Sequence, residues 1–199
     1  SNPSCKSSDT CDGPGLYEKV AYIRAKLAEY RLDKPIMITE SGWHSDNAPQ
    51  EPSSPEVQAR YVTEIYVQSK AAGVKNTIFF ALADPGIDYP YASGLVTRDA
   101  PPKRKPAFIA YQTAVDWLAD AQFKRRLPAA ELKVKEMDAY QFFHPVRGHN
   151  FYVAWLNPAR MGLDLDGDGK PEVAEKKHTL RAQGSTAKVY NIYGELLET

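Results

Sequence analysis

Glu40 closes a short apolar run, Ile36-Met37-Ile38-Thr39, and is followed by Ser41-Gly42-Trp43. A continuous apolar run between Lys34-Pro35 and a polar loop reads as a strand buried on both faces, as in a parallel sheet. In α/β folds the carboxyl ends of such strands are where active sites assemble, because a rigid element there holds a side chain beside variable loops. A carboxylate so held can act as nucleophile, general acid or general base. The alternative is a strand-end glutamate paired with a nearby Lys or Arg. Trp43, His44 and Asp46 follow on the next loop, and Asp84, Tyr89 and Tyr91 follow a second apolar run, Thr77-Ile78-Phe79-Phe80-Ala81-Leu82. Each of them is also readable as a solvated loop residue.

A second motif lies far along the chain, from Asp164 through Glu175: DLDGDGKPEVAE. Asp164, Asp166 and Asp168 stand at positions 1, 3 and 5 of a loop with Gly169 at 6. Lys170, Glu172 and Glu175 at positions 7, 9 and 12 complete the calcium-loop spacing. Aspartates this close repel one another unless a cation sits among them. Pro171 and strand-like flanks differ from a full EF-hand, so the expectation is a structural Ca²⁺ loop between two strands. An acidic Asp-Gly turn without metal is the alternative. Neither His149 nor His178 has a partner at metal spacing, and no His or Asp is arranged around Ser41 as in a catalytic triad. No Gly-rich phosphate loop occurs, so catalysis is expected to need no cofactor.

The elements that must position Glu40 are legible as pattern. Leu16, Val20, Ile23, Leu27 and Tyr30 form a helical stripe over about 12–32, with Asp12 able to cap it and Pro14 near its first turn. Ser54-Pro55-Glu56 opens a second helix, with Val57, Tyr61, Ile65 and Gln68 on its stripe and Gly73 as its stop. A long loop over 84–105 leads to a third helix over 106–119. The order α-β-α-β-α, with buried strands joined through helices, specifies a parallel α/β arrangement. Its two strands would leave open edges, so this half reads as the end of something larger. From about Asp120 to Pro128 the character changes. Leu132-Val134, Tyr140-Phe143, Phe151-Trp155, Thr179-Leu180 and Val189-Tyr193 are short stretches, several of them alternating, and read as a small antiparallel β-sandwich.

Composition bounds the function. The chain has 199 residues, 25 Lys+Arg against 25 Asp+Glu, 43% hydrophobic and 25% charged residues. That is a globular composition with room for a core. Zero net charge argues against nucleic acid or an anionic membrane surface as partner, since both recruit a basic surplus. No apolar run reaches the roughly 20 residues of a membrane span. Cys5 and Cys11 lie in a polar opening stretch at a spacing unlike CxxC, which favours a local disulfide, maturation in an oxidising compartment and secretion, with two free thiols as the alternative. The start has neither a signal-peptide pattern nor an initiator Met, so a processed or excised piece is expected.

KPIMITESGW, a helix, IFFALADPG, then GLV and PKRKPAFIAY together resemble the last quarter of the (β/α)8-barrel glycoside hydrolases that use two glutamates. The resemblance covers roughly residues 12–119. It implies a partial barrel, its last two strands and helices, over 1–124, followed by the β-sandwich over 125–199; a sandwich packed on the barrel is common in such relatives. It implies Glu40 as nucleophile, Asp84 as the acidic residue after strand eight, and Lys105-Pro106-Ala107 as the start of the last helix. In a retaining mechanism the nucleophile attacks the anomeric carbon while a second carboxyl, about 5–5.5 Å away, protonates the leaving oxygen. Trp43 would face a sugar ring, and His44, Asp84 and Tyr91 would line subsites.

The sequence departs from that pattern in three ways. It holds no Asn-Glu pair for the acid/base, it lacks the first six strands, and Phe79 or Phe80 replaces the strand-eight Trp. Three readings follow. The first is part of a retaining glycoside hydrolase whose acid/base comes from an upstream barrel segment or partner chain. The second is a non-catalytic, calcium-stabilised carbohydrate-binding or cell-surface module. The third is a calcium-dependent structural module that binds no sugar.

Overall fold

The computed structural model describes residues 15–48, 51–86, 92–132, 137–156 and 187–198. Helix α1 (Leu16–Glu29) precedes strand β1 (Met37–Ser41), and the loop that follows β1 contains a small antiparallel ladder, β2 (Asn47–Ala48) and β3 (Glu51–Pro52). Helix α2 (Pro55–Ala71), strand β4 (Asn76–Phe79) and helix α3 (Pro106–Leu118) complete the first half. β1 and β4 pair in parallel, Met37 opposite Asn76 and Ile38 opposite Thr77, with α2 as the crossover. The expected α-β-α-β-α order is therefore present, although nothing in this pairing amounts to a barrel.

Local chemistry accounts for the ends of α2. The Ser54 hydroxyl accepts the Val57 N–H at 3.2 Å and Pro55 fills the first turn, so the free donors there are reduced. At the other end Gly73 adopts φ +66°, and the amides of Gly73 and Val74 return to the carbonyls of Lys70 and Ser69. That left-handed stop suits glycine. The buried face of α2 differs from the stripe read in the sequence: Gln58, Ala59, Val62, Val67, Ser69 and Ala71 are its buried residues. The shift follows from packing on several sides, where small residues permit close approach.

The strands β1 and β4 also depart from expectation. Met37 is 53% and Ile78 49% exposed, so the pair is not buried on both faces. Among the described residues each strand has only the other as strand neighbour, which leaves its far edge unpaired. On α1 only Val20 is buried, while Ile23 and Tyr30 of the expected stripe are exposed.

The second half contains a three-stranded antiparallel meander: β5 (Gln122–Arg126), β6 (Met137–His144) and β7 (His149–Leu156). Its inner residues Tyr140 and Phe142 share one core with Val67, Ala71, Ala114 and Leu118 of α2 and α3. The described sheet thus packs its inner face on α2 and α3, while residues 157–186 of the expected sandwich lie outside the described residues. β5 begins before residue 125 and was missed in the sequence; the strand expected at Leu132-Val134 meets a short helix, α4 (Ala129–Leu132). The stretch expected as one strand at Val189-Tyr193 turns after β8 (Val189–Tyr190) and returns as β9 (Leu196–Glu198). Ile192 and Tyr193, in that turn, pack on a second cluster formed by Ala59, Val62, Leu95, Ala107 and Ala110. The strand expected at Thr179-Leu180 lies outside the described residues, as do Asp12, Pro14 and both cysteines.

Charges tie the halves together. Arg126 of β5 binds Glu18 of α1 and Asp138 of β6, and its guanidinium lies 5.7 and 5.5 Å from the Tyr17 and Tyr140 ring centres. Burial opposes the charge on Arg126, but hydrogen bonds to Asp138 and Glu18 outweigh it and raise its pKa. On α2, Glu64 has a side chain only 13% exposed, with the Arg60 Nε 4.0 Å away. Burial pushes the Glu64 carboxyl up to about 7; Arg60 pulls it down and Asp138 adds to the rise. The folded state therefore favours the protonated form. That contribution is fully present below the ordinary value of 4.5 and is lost as pH rises to about 7. We predict that Glu64→Gln raises stability at pH 8 by on the order of 2–3 kcal/mol and flattens the decline between pH 5 and 7. Urea unfolding of both proteins across that range is the check, and parallel curves would refute it.

Candidate active site

Glu40 occupies the next-to-last position of β1, inside the strand rather than just after it. Its side chain is exposed. The backbone around it is tightly defined. The Phe80 N–H donates to the Ser41 carbonyl at 2.8 Å, which extends the β1–β4 pairing beyond the strand ends. Gly42 then passes so close to the β4 end that an added Cβ would lie 2.1 Å from the Phe80 carbonyl oxygen. Only glycine fits without moving backbone. A carboxylate is thus fixed at the carboxyl end of a parallel strand, where the strand and its neighbour are laced together.

Two loops border this end. In the first, the Trp43 N–H donates to the Ser53 hydroxyl at 3.0 Å, and Ser53 donates to the His44 carbonyl at 2.8 Å. The Trp43 ring packs on Tyr61 of α2, centroids 4.6 Å apart, and stacks on His44 at 5.5 Å. His44 is buried, with its Nδ1 3.6 Å from an Asp46 carboxylate oxygen. In the second loop, one oxygen of Asp84 accepts both the Gly94 N–H at 2.7 Å and the Lys105 ammonium at 3.0 Å.

The loops are joined directly. The Ser45 N–H and hydroxyl both donate to the Ala92 carbonyl, at 3.0 and 3.1 Å, and the Ala92 N–H donates to Asp46 at 3.3 Å. Gln58, on the buried face of α2, donates from its amide nitrogen to the carbonyls of Trp43 at 2.9 Å and Gly94 at 3.1 Å.

The structure therefore brings Trp43, His44 and Asp84 into one connected border beside Glu40. It gives Trp43 a half-buried packing position, encloses His44 within its loop, and engages Asp84 in an ion pair. Tyr89 and Tyr91 lie outside the described residues. So do Asp164, Asp166, Asp168, Lys170, Glu172 and Glu175, the expected calcium ligands. Among the described residues no cluster of three acidic, His or Cys side chains could hold a metal. Gln58, Ser53, Gly42, Gly94 and the ion-pairing role of Lys105 escaped the sequence reading. One signal was available: a Lys directly before the Pro that starts α3.

No protein-family model and no curated protein matches the chain. Among solved structures it is similar to a family 39 glycoside hydrolase from the gut symbiont Bacteroides cellulosilyticus WH2, with a TM-score of 0.54 at 20% identity. The match covers 69% of this chain and 27% of that protein. The chain thus spans about a quarter of the length of the structure it resembles, and the likeness is one of fold. No helix among the described residues is long and apolar enough to cross a membrane.

The contact at Gly42 supplies a test of this geometry. Gly42→Ala is expected to destabilise the protein by about 1–3 kcal/mol, since the obstacle is backbone, with a melting temperature lower by roughly 3–10 °C. Thermal unfolding followed by circular dichroism reads it. An unshifted transition would show that β1 and β4 are not so closely apposed.

Proposed function

We propose that this chain is part of a retaining glycoside hydrolase that cleaves a β-linked oligo- or polysaccharide, with Glu40 as its nucleophile. The observation that carries this reading is the exposed Glu40 near the carboxyl end of a parallel strand, whose following loop is tied by a polar network to the loop after β4. The fold likeness to a glycoside hydrolase over 69% of the chain supports it. In this mechanism the Glu40 carboxylate attacks the anomeric carbon and the glycosidic C–O bond breaks. The leaving oxygen takes a proton from a second carboxyl, and water then releases the sugar from Glu40.

The second carboxyl is assigned to an upstream barrel segment or a partner chain, because this sequence has no Asn-Glu pair. The exposed Met37 of β1 and Ile78 of β4, with Phe80 and Leu82 just beyond β4, are where such a segment would seat. Secretion and a Cys5–Cys11 disulfide belong to the same proposal. In the enzyme containing that segment, Glu40→Gln should lower kcat on a β-linked aryl glycoside by at least about a thousandfold with the fold intact by circular dichroism. Retained turnover would refute the assignment.

The missing Asn-Glu pair also favours a second reading, a non-catalytic carbohydrate-binding module. It predicts oligosaccharide binding by calorimetry with no reducing ends released, even with every native partner present.

The acidic stretch 164–175 is proposed to bind a structural Ca²⁺ through Asp164, Asp166 and Asp168 with Lys170, Glu172 and Glu175. Removing calcium with a chelator should lower the melting temperature, and adding Ca²⁺ should restore it. Identical unfolding curves with and without chelator would count against the site.

A further inference from the structure

We infer that Lys105 and Gln58 are positioning residues, which lock the loop after β1 and the loop after β4 into one rigid border beside Glu40. The catalytic consequence rests on the reading of Glu40 given above; the lock itself does not.

The Lys105 and Asp84 side chains are only 9% and 11% exposed. Withdrawing an ammonium and a carboxylate from water is costly unless each finds a partner and further hydrogen bonds. Both do. The Lys105 ammonium reaches Asp84 at 3.0 Å and the Ala92 carbonyl at 2.9 Å, and Asp84 also accepts from Gly94. The Gln58 amide, fully buried, spans the two loops by donating to Trp43 and Gly94.

The outcome is that two backbone units are gripped from both sides. Gly94 is held at its N–H by Asp84 and at its carbonyl by Gln58. Ala92, which directly follows Tyr91 in sequence, is held at its carbonyl by Lys105 and Ser45 and at its N–H by Asp46. Gly94 has no slack, since an added Cβ would stand 2.2 Å from the Asp84 nitrogen. The gripping side chains come from elements anchored elsewhere: Lys105 is the N-cap of α3, and Gln58 lies in α2, whose contact with α3 is in the core. The border therefore takes its position from the helix pair.

A buried pair of this kind often contributes no more stability than apolar residues of the same volume. Its directional bonds, however, fix where two backbones stand relative to each other, which apolar packing specifies less sharply.

The test uses the double variant Asp84→Asn/Lys105→Met, which removes both charges together and leaves no unpaired buried ion, alongside Gln58→Leu. Amide hydrogen exchange should accelerate at least about tenfold at Ser45, Gly94 and Leu95 while the β6–β7 amides keep their protection. In the enzyme carrying the acid/base segment, Gln58→Leu should raise KM for an oligosaccharide about tenfold with kcat on an activated aryl glycoside within about twofold. Unchanged exchange at Ser45 and Gly94 would overturn the lock. Faster exchange with KM unmoved would overturn the positioning role. Faster exchange in a protein whose Glu40→Gln variant still turns over would leave the lock standing and refute only the catalytic reading.

Discussion

Ala59 on α2 and Ala107, Ala110 and Ala114 on α3 are small enough to let the two helices approach closely, and their contact carries the rest of the described structure. Helices separated by large side chains stand up to 10 Å apart; alanine-lined faces shorten that distance and leave little room for error. Three things are built on the pair. Tyr66 of α2 reaches β4, its hydroxyl donating to the Thr77 carbonyl, and burial and the neighbouring Tyr111 raise its pKa so that the phenol stays a donor. The β5–β7 sheet lays Tyr140 and Phe142 across the carboxyl-terminal ends of both helices. The turn at Ile192 and Tyr193 closes over the remaining flank.

Polar groups inside this frame fall into two clusters of different character. Near Glu40 the buried groups are linked mainly to backbone atoms of loops, so their bonds define the course of the chain. Around Arg126 the partners are side chains from α1 and β6, with tyrosine rings on the guanidinium, and the bonds hold elements in register. Glu64 borders the second cluster without a close ion pair, its Arg60 contact being at the limit of that interaction. Its ionisation is therefore opposed by burial and by Asp138 together.

Much of the first half was legible in sequence because its signals are local. Ser54-Pro55 and Gly73 bracket α2 through capping chemistry that needs no tertiary information, and Pro106 does the same for the start of α3. The two apolar runs declared β1 and β4, and Glu40 stood out because it terminates one of them. What failed is what depends on neighbours. Gln122-Phe123-Lys124-Arg125-Arg126 is too charged to read as a strand, yet Arg126 is satisfied by Glu18, distant in sequence. Leu132 follows Pro128, which starts a helical turn where alternation suggested a strand. Gln58 and Lys105 carry side chains that usually meet water, and only the assembled loops supply the carbonyls and carboxylate that make their burial tolerable. The helix packing of β5–β7 was hidden for a related reason: alternation tells that one face of a sheet is covered, and not whether sheet or helix covers it.

The uncovered side of β1 and β4 has a consequence for the chain as a material. Two paired strands whose outer edges are unpaired among the described residues, with Met37, Ile78 and Leu82 exposed, are a template on which further copies can stack edge to edge. The residues at the strand starts work against this. Lys34 and Pro35 precede β1 and Lys75 precedes β4, placing positive charge and a missing N–H beside the aggregation-prone runs. At neutral pH the resulting repulsion is screened within about 8 Å at physiological salt. Added salt therefore weakens the gatekeeping while strengthening the apolar attraction, and low ionic strength is the condition under which these strands stay apart.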